Sequence, residues 1–205
     1  VNAGNSITSG GNYNTVVGDE AGTAITTGDY STFVGYAAGD ATTTGLDNTA
    51  LGALALTSNT VGAYNVAIGQ SALHNNVDGS NSVAIGRLAL YAQDPASAAD
   101  MHNVAVGYTA GAAVTTGRLN TLIGGSAGSA TTTANNVTAV GASALSANTT
   151  GADITAVGAA TLATNTTGAS NTAVGYGALN ANTTAGNNTG IGAYALVANT
   201  TGTRM

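Results

Sequence analysis

An aliphatic residue followed directly by glycine recurs along the whole chain. The aliphatic positions are Val17, Val34, Leu51, Ile68, Ile85, Val106, Ile123, Val140, Val157, Val174 and Ile191. The glycines are Gly18, Gly35, Gly52, Gly69, Gly86, Gly107, Gly124, Gly141, Gly158, Gly175 and Gly192. Every step is 17 residues except one of 21, between Gly86 and Gly107. Two residues before each aliphatic position stands Thr or Val, as at Thr15, Val66, Val104 and Thr172. Side chains alternate along an extended segment, so these two positions share one side. β-Branched residues favour that conformation. The pattern predicts a short strand whose first and third residues face a core. A corner follows at the glycine, where a missing Cβ permits positive φ or close backbone approach.

A second apolar pair follows the glycine by three and four residues, as in Ala55-Leu56, Ala72-Leu73, Ala89-Leu90, Ala144-Leu145, Ala178-Leu179 and Ala195-Leu196. It predicts the start of a second strand. Asn148-Thr149-Thr150-Gly151, Asn165-Thr166-Thr167-Gly168 and Asn199-Thr200-Thr201-Gly202 then supply a corner made of turn residues. Seventeen residues are too few for a helical-hairpin repeat of about 34. The period of two is also wrong for helix. The fold class is therefore all-β, a parallel β-solenoid of eleven 17-residue coils. Coils of this kind stack about 4.8 Å apart, with like side chains in ladders. One coil cannot bury its own core, so stability comes from the stack. The column Asn14, Asn48, Asn65, Asn103, Asn120, Asn171 and Asn188 predicts amide-to-amide bonding along the axis.

A longer period overlies the coils. The segment Ala21–Leu56 resembles Ala110–Leu145, offset by 89 residues. The organisation read from it is a polar lead-in loop over 1–13, a first module over 14–90, an inserted corner loop over 91–102 and a second module over 103–205. The inserted loop holds the one proline together with Asp94, Asp100, Met101 and His102. A tolerated bulge is the expectation there.

The residue between the two core-facing positions is expected to point outward. It is Val16, Phe33, Ala50, Ala67, Ala84, Ala105, Leu122, Ala139, Ala156, Ala173 or Gly190. That would be a charge-free apolar stripe, and such stripes mark contact surfaces. Identical chains are expected to pack along it, most simply about a threefold axis. No blunting device for a strand edge is evident at either end, so the expectation is further sequence or end-to-end stacking into a fibre.

Composition narrows the function. Only 6% of residues are charged, the formal net charge is −6, and Arg87, Arg118 and Arg204 are the only cationic side chains. A nucleic-acid partner is not expected. No apolar run reaches the roughly 18 residues of a spanning helix, so membrane insertion is not expected either. The absence of cysteine fits a secreted or virion-borne protein. Val1-Asn2-Ala3-Gly4 does not read as a signal peptide. An extracellular, cell-surface or virion-surface location is inferred from the architecture.

No catalytic, cofactor or metal site is read from the residues. His74 and His102 lie in different corner regions, without spaced partners for zinc. Asp19-Glu20 reads as a solvated acidic pair. Asp29, Asp40, Asp47, Asp78 and Asp153 are scattered over corners, outside the nonapeptide pattern of calcium-binding β-rolls. The Ala-Gly stretches lack the lysine of a phosphate loop. Tyr36, Tyr108 and Tyr176 share the column after the corner glycine, which predicts a packing row or a surface-contact row able to stack on sugars. Asn136, Asn148, Asn165, Asn182, Asn187 and Asn199 begin glycosylation sequons. Paired threonines such as Thr26-Thr27 and Thr149-Thr150 suggest ice binding, although a flat face would want Thr-x-Thr. A hexapeptide-repeat acyltransferase would want an 18-residue coil and a placed histidine, and this chain has neither.

Asn81-Ser82-Val83-Ala84-Ile85-Gly86, Asn65-Val66-Ala67-Ile68-Gly69 and Asn171-Thr172-Ala173-Val174-Gly175 resemble the head repeats of trimeric autotransporter adhesins. Similar 17-residue units occur in phage and large-virus fibre proteins. The resemblance covers nearly the whole chain. It implies a left-handed parallel β-roll, a homotrimer and a surface-binding role. The coil is longer than the usual adhesin coil of about fourteen residues, and no neck, coiled-coil stalk or membrane anchor is recognisable. The function expected is a structural or adhesive segment of an extracellular fibre, with itself as partner and surface glycans or matrix as targets. An ice-binding β-solenoid and a carbohydrate-binding viral tail-fibre shaft are the alternatives.

Overall fold

The Thr/Val-x-aliphatic triplets form short strands, as their β-branched ends favour. The computed structural model describes residues 2–7 and 10–205. Its strands are β1 (Thr15–Val17), β2 (Thr32–Val34), β3 (Thr49–Leu51), β4 (Val66–Ile68), β5 (Gly79–Ser80), β6 (Val83–Ile85), β7 (Ala99–Asp100), β8 (Val104–Val106), β9 (Thr121–Ile123), β10 (Val137–Val140), β11 (Ile154–Val157), β12 (Thr172–Val174) and β13 (Thr189–Ile191). No helix occurs among the described residues. The chain divides into two compact units, Val1–His102 and Asn103–Met205.

Each unit is a parallel β-solenoid. In the first, β1, β2, β3, β4 and β6 pair in that order, with Thr15 opposite Thr32, Thr32 opposite Thr49, Thr49 opposite Val66 and Val66 opposite Val83. In the second, β8 to β13 pair successively, and Val104, Thr121, Thr138, Thr155, Thr172 and Thr189 lie in one row. Partners in these ladders are 17 residues apart, so the sequence period is the rung period. Val17, Val34 and Leu51 accordingly align in a column.

The backbone between strands is stacked as well. Gly39 N–H bonds Ala55 C=O at 3.0 Å, and Leu73 N–H bonds Ala89 C=O at 3.0 Å. The Ala-Leu pairs do not begin a second strand. They lie in turns. Ala55 N–H closes on Gly52 C=O at 3.3 Å, and Asn59 N–H closes on Leu56 C=O at 3.3 Å. Leu54 and Leu56 both have positive φ, 59° and 54°. The same alternation recurs at Ser71 and Leu73, and at Ser143 and Leu145. A left-handed L-residue costs roughly 1–2 kcal/mol. It persists where surrounding structure over-determines it, and here the neighbouring coils do so.

The corner glycines have φ between 119° and 137°. At Gly35 a Cβ would lie 2.6 Å from the Gly52 carbonyl oxygen of the next coil. Both the dihedral and the stacking distance therefore demand glycine.

The core of each coil is thin. It holds the middle residue of the strand, the Ala-Leu pair and the asparagine columns. Where the pair ends in Leu, the strand's middle residue is small, as in Ala50/Leu56, Ala67/Leu73 and Ala139/Leu145, all buried. Where the pair ends in Gly, the middle residue can be large. A Cβ on Gly39 would meet the Phe33 ring at 2.6 Å, and one on Gly128 would meet Leu122 at 2.7 Å. Volume is thus exchanged between two walls of one coil, as interior packing density requires.

Two expected segments look different in place. The lead-in expected over 1–13 is tied to the next coil: Gly4 N–H bonds Ala21 C=O at 2.9 Å, and Asn12 N–H bonds Asp29 Oδ1 at 2.6 Å. Val1, Thr8 and Ser9 lie outside the described residues. The loop expected over 91–102 is largely absorbed. Gln93, Pro95 and Met101 are buried, and β7 pairs with β5. The exposed tip is Ala96-Ser97-Ala98.

The volume exchange makes a double-mutant cycle informative. Phe33→Ala is expected to destabilise by about 3–5 kcal/mol through the cavity it leaves. Gly39→Leu alone is expected to unfold that coil by collision with Phe33. Together they recreate the Ala50/Leu56 arrangement, so the double variant should recover at least about 2 kcal/mol relative to additivity in denaturant unfolding. Additive losses would refute the exchange.

Candidate interaction surface

The structure inverts the expected faces of the strands. Phe33, Ala50, Ala67, Ala84, Ala105, Leu122, Ala139, Ala156 and Ala173, expected outside, are wholly buried, and Val16 is half-buried. Gly190 is buried too. The aliphatic column expected inside faces out: Val17 is 56% exposed, Leu51 47%, Ile123 38% and Ile191 71%. The reason is room. The turn residues and asparagines fill most of the narrow interior, so a small side chain stands behind the strand unless the turn supplies a glycine, as beside Phe33 and Leu122. The Thr, Val, Leu and Ile that flank it are left for the outer side.

The surface so formed has two columns on one face of each ladder. In the first unit it consists of Thr15, Thr32, Thr49, Val66 and Val83 beside Val17, Val34, Leu51, Ile68 and Ile85. In the second unit Val104, Thr121, Thr138, Thr155, Thr172 and Thr189 stand beside Val106, Ile123, Val140, Val157, Val174 and Ile191. All are exposed or half-buried, and no charged side chain interrupts either column. Sequence reasoning found the columns and placed them on the wrong side.

The buried asparagines are structural. In the column before the strands, Asn65 donates from Nδ2 to Gly79 C=O at 2.8 Å and accepts Ser82 N–H at 3.0 Å. Asn120 repeats this with Ala134 and Val137. The bonds run from side chain to main chain, not from amide to amide as expected. True amide-to-amide bonding occurs in a second column, where Asn165 Nδ2 donates to Asn148 Oδ1 at 3.0 Å and Asn182 Nδ2 donates to Asn165 Oδ1 at 2.9 Å. The signal for it is the corner Asn repeated every 17 residues, which on its own reads simply as a turn residue. Of the sequons, Asn148, Asn165 and Asn182 are wholly buried and cannot present an amide to a transferase in the folded chain. Asn136 and Asn187 are exposed, and Asn199 is half-buried.

The paired threonines divide their work. Thr26, Thr43, Thr115, Thr132, Thr149 and Thr166 donate their hydroxyls to the backbone of the next coil at 3.0–3.3 Å. Thr27, Thr44, Thr116, Thr150 and Thr167 are exposed.

Tyr36, Tyr108 and Tyr176 are about half exposed. Tyr108 and Tyr176 are separated by Gly125, Ala142 and Ala159 in their column, so they form no continuous row. Tyr176 instead meets Tyr194 edge-on at 5.2 Å, and Tyr13 stacks on Tyr30 at 5.0 Å. The expected acidic pair has a local role: interaction with the Glu20 carboxylate, which favours the protonated phenol, raises the Tyr36 pKa. His74 stacks on Tyr91, and its Nδ1 lies 2.8 Å from Asn75 Oδ1, while His102 is exposed. Asp29 accepts Asn12 N–H, and Asp153 accepts from Asn136 Nδ2 at 3.0 Å. Among the described residues no three His, Asp or Glu gather as metal ligands, and no helix is long and apolar enough to cross a membrane.

The Tyr36 geometry can be titrated. Glu20→Gln removes the charge that opposes phenolate formation, so Tyr36 should ionise at lower pH than in the parent. A near-ultraviolet phenolate titration of both chains reads this, and identical curves would disprove the contact. Comparison of the chain with known protein families, curated proteins and solved structures finds no match.

Proposed function

We propose that this chain is a structural and adhesive segment of an extracellular fibre, in which identical chains associate through the outward strand face. The observation that supports the reading is the charge-free, two-column surface of Thr, Val, Leu and Ile, exposed rung after rung in each unit. Contiguous apolar faces on soluble proteins mark contact sites. A second copy carries the same columns at the same pitch, so each rung finds an equivalent rung. A partner with another spacing would fall out of step. The likeness of Asn81–Gly86 to adhesin head repeats favours a threefold arrangement. Adhesion then rests on repetition, since many weak contacts on one assembly give avidity beyond any single site.

One observation favours a second reading, ice binding. Thr121, Thr138, Thr155, Thr172 and Thr189 form five successive hydroxyl- and methyl-bearing rungs beside an aliphatic column. The outward set is Thr-x-aliphatic, with strand rungs about 4.8 Å apart.

Sedimentation of the full chain separates the two. Self-association predicts a species near three times 19.5 kDa. Ile123→Glu with Val157→Glu would bury unpaired charge and should weaken assembly by at least about a hundredfold. Thr150→Glu, at an exposed corner outside the strand columns, should leave it intact. A stable 19.5 kDa species with no concentration dependence would refute the association, and thermal hysteresis from that monomer would establish the second reading.

A further inference from the structure

One column of side chains, buried except at its last member Asn199, changes character along each unit in the same order. Seven residues after the corner glycine stand Ile25, Thr42, Asn59, Asn76 and Gln93 in the first unit, and Val114, Thr131, Asn148, Asn165, Asn182 and Asn199 in the second. Each begins with a branched aliphatic residue, continues with threonine and becomes a run of amides. The two series are 89 residues apart, so the arrangement occurs twice.

Within the amide run each asparagine nitrogen after the first makes two bonds, one to a carbonyl of its own corner and one to the amide of the coil before, while Gln93 Nε2 bonds Asn76 Oδ1 at 3.0 Å and the Ser82 hydroxyl at 3.1 Å. Asn76 Nδ2 donates to Gly79 C=O at 2.8 Å and to Asn59 Oδ1 at 3.2 Å. Asn165 Nδ2 donates to Gly168 C=O at 3.0 Å and to Asn148 Oδ1 at 3.0 Å. The first amide of each run makes only the corner bond. Asn59 bonds Gly62 C=O at 2.9 Å, and Asn148 bonds Gly151 C=O at 3.0 Å. The residue one coil earlier is Thr42 or Thr131. Both are wholly buried, and both hydroxyls lack a hydrogen-bond partner. A threonine side chain is one atom shorter than asparagine, so its oxygen stops short of the amide that follows. A spare N–H and an unpartnered hydroxyl thus end up in the same column at two equivalent places. Buried polar groups are almost always satisfied by protein or by ordered water.

We propose that the foot of each amide ladder is a binding site for one water molecule, held between Thr42 Oγ1 and Asn59 Nδ2 in the first unit and between Thr131 Oγ1 and Asn148 Nδ2 in the second. The water accepts from the amide, as an Asn Oδ1 does on later rungs, and pairs with the threonine hydroxyl. Buried waters typically serve such groups. The surroundings are close-packed. Gly128 is so close that a Cβ there would lie 3.2 Å from Thr131 Oγ1 and 2.7 Å from Leu122, and Phe33 fills the equivalent place over Gly39. The site also explains why threonine and not valine stands at the junction: its methyl suits the aliphatic rung before it and its hydroxyl suits the polar rung after it.

A crystal structure of the full chain at a resolution that shows ordered water tests the site, together with Thr131→Val and Thr131→Asn. One density peak within hydrogen-bond reach of Thr131 Oγ1 and Asn148 Nδ2 is expected. Thr131→Val should lower Tm by about 2–4 °C, the shift expected for one lost bond in a chain of this size. Thr131→Asn should extend the ladder, expel the peak and keep Tm at or above the parent value. If Thr131→Val does not fold, Thr42→Val serves as the second measurement. A direct Thr131–Asn148 hydrogen bond with no density between them overturns the proposal, and so does an unchanged or raised Tm in both valine variants.

Discussion

The structure depends on hydrogen bonding between residues 17 apart. Strand rungs, turn segments and asparagine columns all bond at that step or close to it, and little of a coil is held by the coil itself. The cost of the turns makes the dependence plain. Non-glycine residues two and four places after the corner, such as Leu54 and Leu56, take left-handed conformations, each unfavourable by roughly 1–2 kcal/mol for an L-residue. Only stacking on both sides compensates for so many. Stability in such an array is a sum over neighbouring interfaces. A defect is therefore felt first by the two coils that touch it.

The period, the strand positions, the corner glycines and the parallel stacking were legible because they impose one requirement per coil, and the chain repeats it. The direction in which the strands face was not. Pointing the larger apolar side chains inward is sound for a thick core. Here the interior is lined with asparagines and turn residues, and most strands can offer it only alanine. The sequence contained the correcting signal. Phe33 accompanies Gly39 and Leu122 accompanies Gly128, whereas Ala50, Ala67 and Ala139 accompany leucines. A middle residue that trades size with a residue in the turn has to be packed against it.

The asparagines show a second limit. Both columns were visible as repeats, but only geometry assigns their bonds. Asn65 and Asn120 reach main-chain groups of the neighbouring coil, whereas Asn148, Asn165 and Asn182 bond one another. The sequon Asn-Thr-Thr therefore has opposite meanings in local and axial terms. Locally it is a turn with an exposed second threonine. Axially its asparagine is a core residue, which is why a motif ordinarily read as surface lies buried at three positions.

Turning the strand over also changes what an interface on this molecule would consist of. A stripe of alanines would join chains by close backbone approach, with little side-chain area to remove from water. The true outer columns carry Thr, Val, Leu and Ile, and burying a branched aliphatic side chain contributes about 1.5–3 kcal/mol. The gain accrues at every rung in register and is lost when two ladders slip by a fraction of the coil rise. Association through this face would therefore be selective for chains of equal pitch without any specific polar contact. The same thin core that leaves little room behind most strands gives their outer face its β-branched residues.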